Sequence, residues 1–187
     1  MNMEQNAIRR QMWEDAGKAG LILGIISTAY LFLSQLLSGI QISSVLSVAI
    51  STILWAAKFG GCIWLMMYFM KRLVAKMPGA DNSTSFRFGM IVSILSALVY
   101  SAASFANIAF ISGDAIVEQT NLMLQQMAPM MDSNSMEHMD KMMEKLPQIT
   151  FFSNLIYCFF FGTILSFILS RNIPSRNPFE NNTSEEW

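Results

Sequence analysis

Residues 88–111 read FGMIVSILSALVYSAASFANIAFI, twenty-four consecutive residues without a charged side chain. At about 1.5 Å per residue, a helix of this length covers about 36 Å, which exceeds the roughly 30 Å of a bilayer's hydrocarbon core. Inside lipid every backbone N–H and C=O must find a partner within the segment, and an α-helix provides those partners. The stretch therefore predicts a membrane-spanning helix.

Three further stretches have the same character. Residues 19–37 and 149–169 carry no charge, and residues 45–70 carry only Lys58. The whole chain of 187 residues is 13% charged, about half of the roughly 25% typical of a soluble domain. Its net charge of −1 gives no basic field for a nucleic-acid partner. We predict an all-α integral membrane four-helix bundle, forming a single domain over residues 1–173.

The basic residues lie mainly on one side of the predicted membrane. Positive flanking charges are retained in the cytoplasm, so both termini are predicted to be cytoplasmic. Residues 174–187 contain two prolines and no apolar periodicity, and we expect a mobile cytoplasmic tail there. The nine basic residues on the predicted cytoplasmic side are Arg9, Arg10, Lys18, Lys71, Arg72, Lys76, Arg87, Arg171 and Arg176.

The connection over residues 112–148 is too long to lack structure of its own. Apolar residues recur in it at helical spacing, with a break near Pro129. We predict a two-helix amphipathic insertion outside the cytoplasm, packed over the bundle, lying on the membrane surface, or contacting a partner. The two stripes are Ile116, Leu122 (or Gln119), Met123 and Met127, and then Met136, Met139, Met143 and Leu146.

Three features together resemble a known family: the segment SFRFG at residues 85–89, the segment KFGGCIWLMMYFMKR at residues 58–72, and the acidic insertion. From about Ala16 to Ile173 the chain is similar to small four-span bacterial membrane proteins catalogued only as a domain of unknown function. The resemblance implies a location in the bacterial inner membrane and no known enzyme activity. It carries no catalytic residue over to this chain.

Lys58 is the most informative single residue, because an ammonium in mid-membrane costs about 2.5–3.5 kcal/mol. The tyrosines Tyr30, Tyr100 and Tyr157 lie, like Lys58, 12 to 14 residues inward from the basic flanks, which is about 18–21 Å. Tyrosine hydroxyls could solvate Lys58, or desolvation could leave it neutral. Alternatively, it snorkels or faces a water-filled crevice. The predicted spans contain no carboxylate partner for it.

Soft sulfur ligands suit Cu(I), and the Met-rich insertion supplies Met136, Met139 and Met143. We favour packing for these methionines, because Met is an apolar filler and His138 faces away from their stripe by helical spacing. No metal, cofactor or catalytic residue is predicted. Cys62 and Cys158 lie inside spans, where we expect them to pack as small apolar groups.

Small residues recur every four positions in three spans, which favours close helix contact, either inside the bundle or at an oligomer seam. They are Ala16, Gly20, Gly24 and Thr28, then Gly89, Ser93, Ala97 and Ser101, and then Gly162, Ser166 and Ser170.

Two functions are open. The sequence has no hydrolase, zinc-protease or nucleotide-binding motif, so an enzyme is not expected. The first interpretation is a non-catalytic structural or interaction component whose extracytoplasmic helices contact a partner, lipid or their own bundle. The partners it implies are membrane lipid and a second copy of the chain or another membrane protein. The alternative is a small transporter or channel subunit that uses Lys58 with a polar lining that includes Asn107 and Asn154.

Overall fold

A computed structural model describes residues 2–38, 44–76, 82–127 and 142–173, and this part of the chain contains no strand. The predicted tail at residues 174–187 lies outside it. A π-helical segment, Ile108–Ser112, joins the third and fourth helices. The helices are α1 (Asn2–Ser38), α2 (Ser44–Lys76), α3 (Asn82–Asn107), α4 (Gly113–Met127) and α5 (Leu146–Asn172).

Four helical stretches are long and apolar enough to cross a membrane. Each contains most or all of one predicted span and extends beyond it, so the four-span prediction is confirmed and the chain is a multi-pass membrane protein. Many large apolar side chains point outward, among them Trp55 and Phe160, as lipid-facing surfaces require. The four stretches are Arg9–Leu37, Val48–Lys76, Asn82–Leu122 and Leu146–Asn172.

Helix α3 is the centre of the bundle and packs most extensively against α5 and α1. Glycines allow these close approaches. A Cβ on Gly20 would lie 2.7 Å from the Leu95 Cβ, and one on Gly162 would lie 2.6 Å from the Ser93 Cβ. Gly20, Gly24, Gly89 and Gly162 therefore serve close packing inside the bundle.

The buried apolar core lies toward the end of the bundle where α2 ends and α3 begins. Met70, Leu73 and Phe88 are almost wholly buried there. At the same end, Lys76 Nζ lies 2.9 Å from a carboxylate oxygen of Asp15, which ties α2 to α1. This end therefore combines the best apolar packing with an ion pair.

The end of the third span differs from the sequence prediction. The third span is predicted to end at residue 111 and the insertion to begin at residue 112, whereas the helix continues through the π-helical segment into α4 without interruption. A Cβ on Gly113 would lie 2.8 Å from the backbone oxygen of Ile108, so glycine fits the wider π turn. The first insertion helix exists as α4, but it has almost no contact with the other spans and is not packed over the bundle. Most of the second insertion helix lies outside the described residues.

Candidate functional site

The ammonium of Lys58 is held between two tyrosine rings in the middle of the bundle. Its Nζ lies 4.7 Å from the ring centroid of Tyr30 on α1 and 4.9 Å from that of Tyr100 on α3. Both distances are within the roughly 6 Å range of a cation–π interaction. The sequence placed these residues at one depth, and the structure brings them together, but through the ring faces rather than through the hydroxyl groups. We call this arrangement the Lys58 clamp.

Beside the Lys58 clamp lies a cavity of about 100 Å³ bounded by all four spanning helices. Its walls are mainly apolar, and Tyr100 and Tyr157 both border it. Tyr157 is 63% exposed and stacks on Phe161 with 6.4 Å between ring centroids. Tyr157 therefore belongs to the outer wall of the cavity and not to the Lys58 clamp.

One side of the cavity is the junction between α2 and α5, which contact each other only sparsely. Across this junction Phe59 and Phe161 meet edge to face, with their centroids 5.4 Å apart. Aromatic rings rather than close backbone packing thus separate the cavity from the lipid. This junction borders the cavity beside Lys58.

Both cysteines line the same cavity as free thiols. Cys62 Sγ lies 4.0 Å from the hydroxyl of Ser27, and Cys158 faces the cavity from α5. Sequence reasoning assigned them only to packing. Both cysteines reach one cavity because of how the helices are arranged. Their separation of 96 positions along the chain does not reveal that arrangement.

A second polar cluster lies at the far end of the bundle. The Ser112 hydroxyl donates to Asn107 Oδ1 at 3.3 Å and accepts a hydrogen bond from the side-chain amide of Gln35 on α1. Because a π-helix brings residues five apart onto one face, the segment Ile108–Ser112 aligns Asn107 with Ser112. Sequence reasoning singled out Asn107 but missed Gln35 and Ser112, because ordinary helical spacing does not align Ser112 with Asn107.

Asn154 of α5 is also engaged within the bundle. Its side-chain nitrogen donates to the Ser104 hydroxyl of α3 at 3.0 Å. The two asparagines proposed as a pore lining are thus both bonded to neighbouring side chains in this structure. Asn154 bonds across to another helix, whereas Asn107 bonds within its own continuous helix and is linked to α1 through Ser112.

Of the three Cu(I) candidates, the structure describes one. Met136 and Met139 lie outside the described residues, and Met143 is half-buried in a short helical turn just before α5. Within the described ranges, no three His, Cys, Asp or Glu side chains converge in a manner suited to a metal ion. The preference for packing over copper binding stays a prediction.

Four packed spanning helices with one lysine clamped in their interior define a small polytopic membrane protein. The chain belongs to the family described as "Protein of unknown function (DUF4199)", whose model matches residues 18–171. This match confirms the resemblance to four-span membrane proteins of unknown function. Neither the curated proteins nor the solved structures include a match to the chain.

Proposed function

We propose that the protein is a non-catalytic interaction component of the membrane, and that α4 is the element with which it contacts a partner. The observation that carries the proposal is the course of α4, which prolongs α3 and has almost no contact with the other spanning helices. A helix that is not stabilised by its own bundle gains most from packing against something else.

The surface of α4 fits a protein partner. Val117 and Leu122 are exposed on it, at 43% and 56%, and the polar residues Asp114, Glu118 and Asn121 share a shallow depression with them. Exposed apolar side chains with polar residues around them match an interface with an apolar core and a polar rim. The partner is a second copy of the chain or another membrane protein.

The Lys58 clamp supports this proposal over a transport role. A lysine that handles a substrate must offer its ammonium to the substrate, whereas the ammonium of Lys58 already faces two rings. Each such contact contributes about 0.5–2 kcal/mol, so the pair offsets much of the roughly 2.5–3.5 kcal/mol cost of an intramembrane charge. We assign Lys58 to attachment of α2 to α1 and α3.

The proposed setting is a bacterial inner membrane with both termini in the cytoplasm. The distribution of basic residues supports this orientation, since the end of the bundle formed by Lys18, Arg72 and Arg171 carries most of them. In that orientation α4 lies at the end of the third span away from the cytoplasm, where a second copy of the chain or another membrane protein can reach it.

The test is cross-linking of the full chain in native membranes, followed by purification and identification of the cross-linked species. The variant Val117→Glu/Leu122→Glu should abolish a cross-linked species that the wild type forms, because the apolar contact is lost. The matched control is Glu118→Gln/Asn121→Gln, on the same exposed helix. Both variants should melt at the wild-type temperature. An identical cross-linking pattern in the two variants, or a wild type that cross-links to nothing, would overturn the proposal.

The second candidate is a small transporter or channel subunit. One observation favours it: the cavity beside Lys58 extends to the sparse junction between α2 and α5. The test is flux of chloride and inorganic phosphate in proteoliposomes that contain wild type or Lys58→Met. Flux that requires Lys58 supports the transporter and contradicts the clamp assignment. Equal background leak of both anions in the two samples would exclude the transporter function.

A further inference from the structure

We infer that a crevice between α1 and α2 is a binding site for an anionic phospholipid. The crevice has a volume of about 210 Å³ and lies at the end of the bundle opposite α4. Its rim carries Lys18, Arg72 and the pair Lys76 and Asp15, and its inner walls include Ile22, Phe69 and Phe88. The inference concerns residues remote from α4 and does not depend on the function proposed above.

The rim has an excess of positive charge. Asp15 is paired with Lys76 at 2.9 Å, so this carboxylate is already neutralised by one of the three cations. Lys18 and Arg72 are exposed, and neither forms an ion pair within the described residues. An Arg guanidinium can bind a phosphate through two parallel hydrogen bonds, and Lys adds a point charge beside it. The rim is therefore complementary to a phosphodiester.

The polarity of the crevice changes along the bundle axis as the polarity of a phospholipid does. Ile22 lies four residues inward from Lys18, about 6 Å along α1, and Phe69 lies three residues inward from Arg72, about 4.5 Å along α2. Phe88 is 1% exposed and contributes an apolar floor from α3. A phosphate held at the rim would place the start of its acyl chains against these apolar walls.

Net negative charge in the head group is required by this geometry. A zwitterionic head group brings a cation of its own toward Lys18 and Arg72, whereas a phosphatidylglycerol head group does not. Basic pockets between helices at the cytoplasmic surface are a recurrent mode of anionic lipid recognition. We therefore assign the crevice to phosphatidylglycerol-type lipids rather than to phosphatidylcholine.

The experiment is native mass spectrometry of the full chain in detergent, titrated with phosphatidylglycerol or with phosphatidylcholine. The variant Lys18→Gln/Arg72→Gln should weaken phosphatidylglycerol binding about tenfold or more, because it removes both unpaired cations. The control is Lys71→Gln, which removes an exposed cation adjacent to Arg72 that does not line the crevice. The control should change the dissociation constant less than twofold. Unchanged melting temperatures would show that each variant is folded.

Two further arms identify the source of the phosphate. Glycerophosphoglycerol, the head group without acyl chains, and inorganic phosphate should both fail to displace the lipid at concentrations that saturate it, because neither reaches the apolar walls. Displacement of the lipid by inorganic phosphate would show that the crevice binds a free anion and would overturn the inference. Equal affinity for the two phospholipids would overturn the inference. An equal loss of phosphatidylglycerol affinity in the Lys71→Gln and Lys18→Gln/Arg72→Gln variants would also overturn it, because binding would then depend only on general surface charge.

Discussion

The contact between Gly162 of α5 and Ser93 of α3 gives the sharpest prediction about the bundle. A Cβ at position 162 would lie 2.5 Å from the Ser93 Oγ and 2.6 Å from its Cβ. The hydroxyl could rotate away, but the Cβ is fixed to the backbone. Since carbon atoms make optimal contact at about 3.5–4.0 Å, Gly162→Ala would force the two helices apart by about 1 Å at this crossing.

Separation of this size should lower the free energy of unfolding by about 1–3 kcal/mol, the usual cost of overpacking a close-packed interior. Van der Waals contact is a main source of helix association in lipid, so the loss is not offset by a solvent effect. The matched control is Gly60→Ala on α2, where a Cβ would meet nothing within 4 Å. Both substitutions replace glycine with alanine inside a helix and gain the same helix propensity, about 1 kcal/mol. The difference between their changes in the free energy of unfolding therefore isolates the steric cost.

The assay is reversible unfolding in detergent micelles by titration with dodecyl sulfate, followed by the helical circular dichroism signal. Ser93→Gly in the Gly162→Ala background removes the opposing Cβ and should recover part of the loss, which a double-mutant cycle measures. Recovery should be incomplete, because the Ser93 hydroxyl also donates to the Gly89 carbonyl at 2.7 Å. If Gly162→Ala costs no more than Gly60→Ala, the close approach of α3 and α5 is refuted.

Three further predictions concern polar contacts and use the same unfolding titration unless stated. Tyr30→Phe keeps the ring of the Lys58 clamp and should leave the free energy of unfolding nearly unchanged, whereas Tyr30→Leu should lower it by about 1–2 kcal/mol. Equal losses of stability in the two variants would show that the hydroxyl, and not the ring, makes the contact. Asp15→Asn removes the partly exposed ion pair with Lys76 and should cost no more than about 1 kcal/mol. That cost should largely disappear in 1 M salt, and a loss that persists there would contradict an electrostatic origin. Ser112→Ala breaks the contact with Gln35 and Asn107 and should cost about 0.6–2 kcal/mol and speed amide hydrogen exchange in α4. Thr120→Val, which removes only a hydroxyl bonded within its own helix, is the control, and an equal effect there would exclude a special role for the Ser112 contact.

The spanning helices could be predicted from the sequence because lipid imposes one strong condition on the backbone. An uncharged run such as residues 88–111 has few alternatives to a helix, and its length is set by the bilayer. Depth was also predictable, because residues equally far from basic flanks lie at similar levels. Counting residues inward from those flanks is enough to place Lys58, Tyr30 and Tyr100 at one level of the membrane.

The remaining details depend on helix rotation and local backbone geometry, which hydropathy does not encode. Only the crossing of α3 with α1 and α5 shows that Gly20 and Gly162 face the interior, while Gly60 faces outward. The π-helical segment at Ile108–Ser112 shifts the register by one residue, so ordinary helical spacing misplaces everything beyond it. Sequence reasoning ended the third span at residue 111, whereas the helix continues to Met127, and it missed the hydrogen bond between Ser112 and Asn107.

The same geometry indicates that α2 is held least firmly of the four spanning helices. Helices α1, α3 and α5 are joined by glycine contacts in which backbones nearly touch, but Gly60 and Gly61 of α2 meet no neighbour. Apart from its apolar contacts in the core, α2 is held by the Lys58 clamp at mid-membrane and by the Lys76 and Asp15 pair at one end. Electrostatic contacts tolerate small displacements better than interlocked backbones do, because the energy of a charge over a ring falls gradually with distance. Any rearrangement of the bundle should therefore begin with α2 and open the wall between Phe59 and Phe161, while α1, α3 and α5 move as one unit.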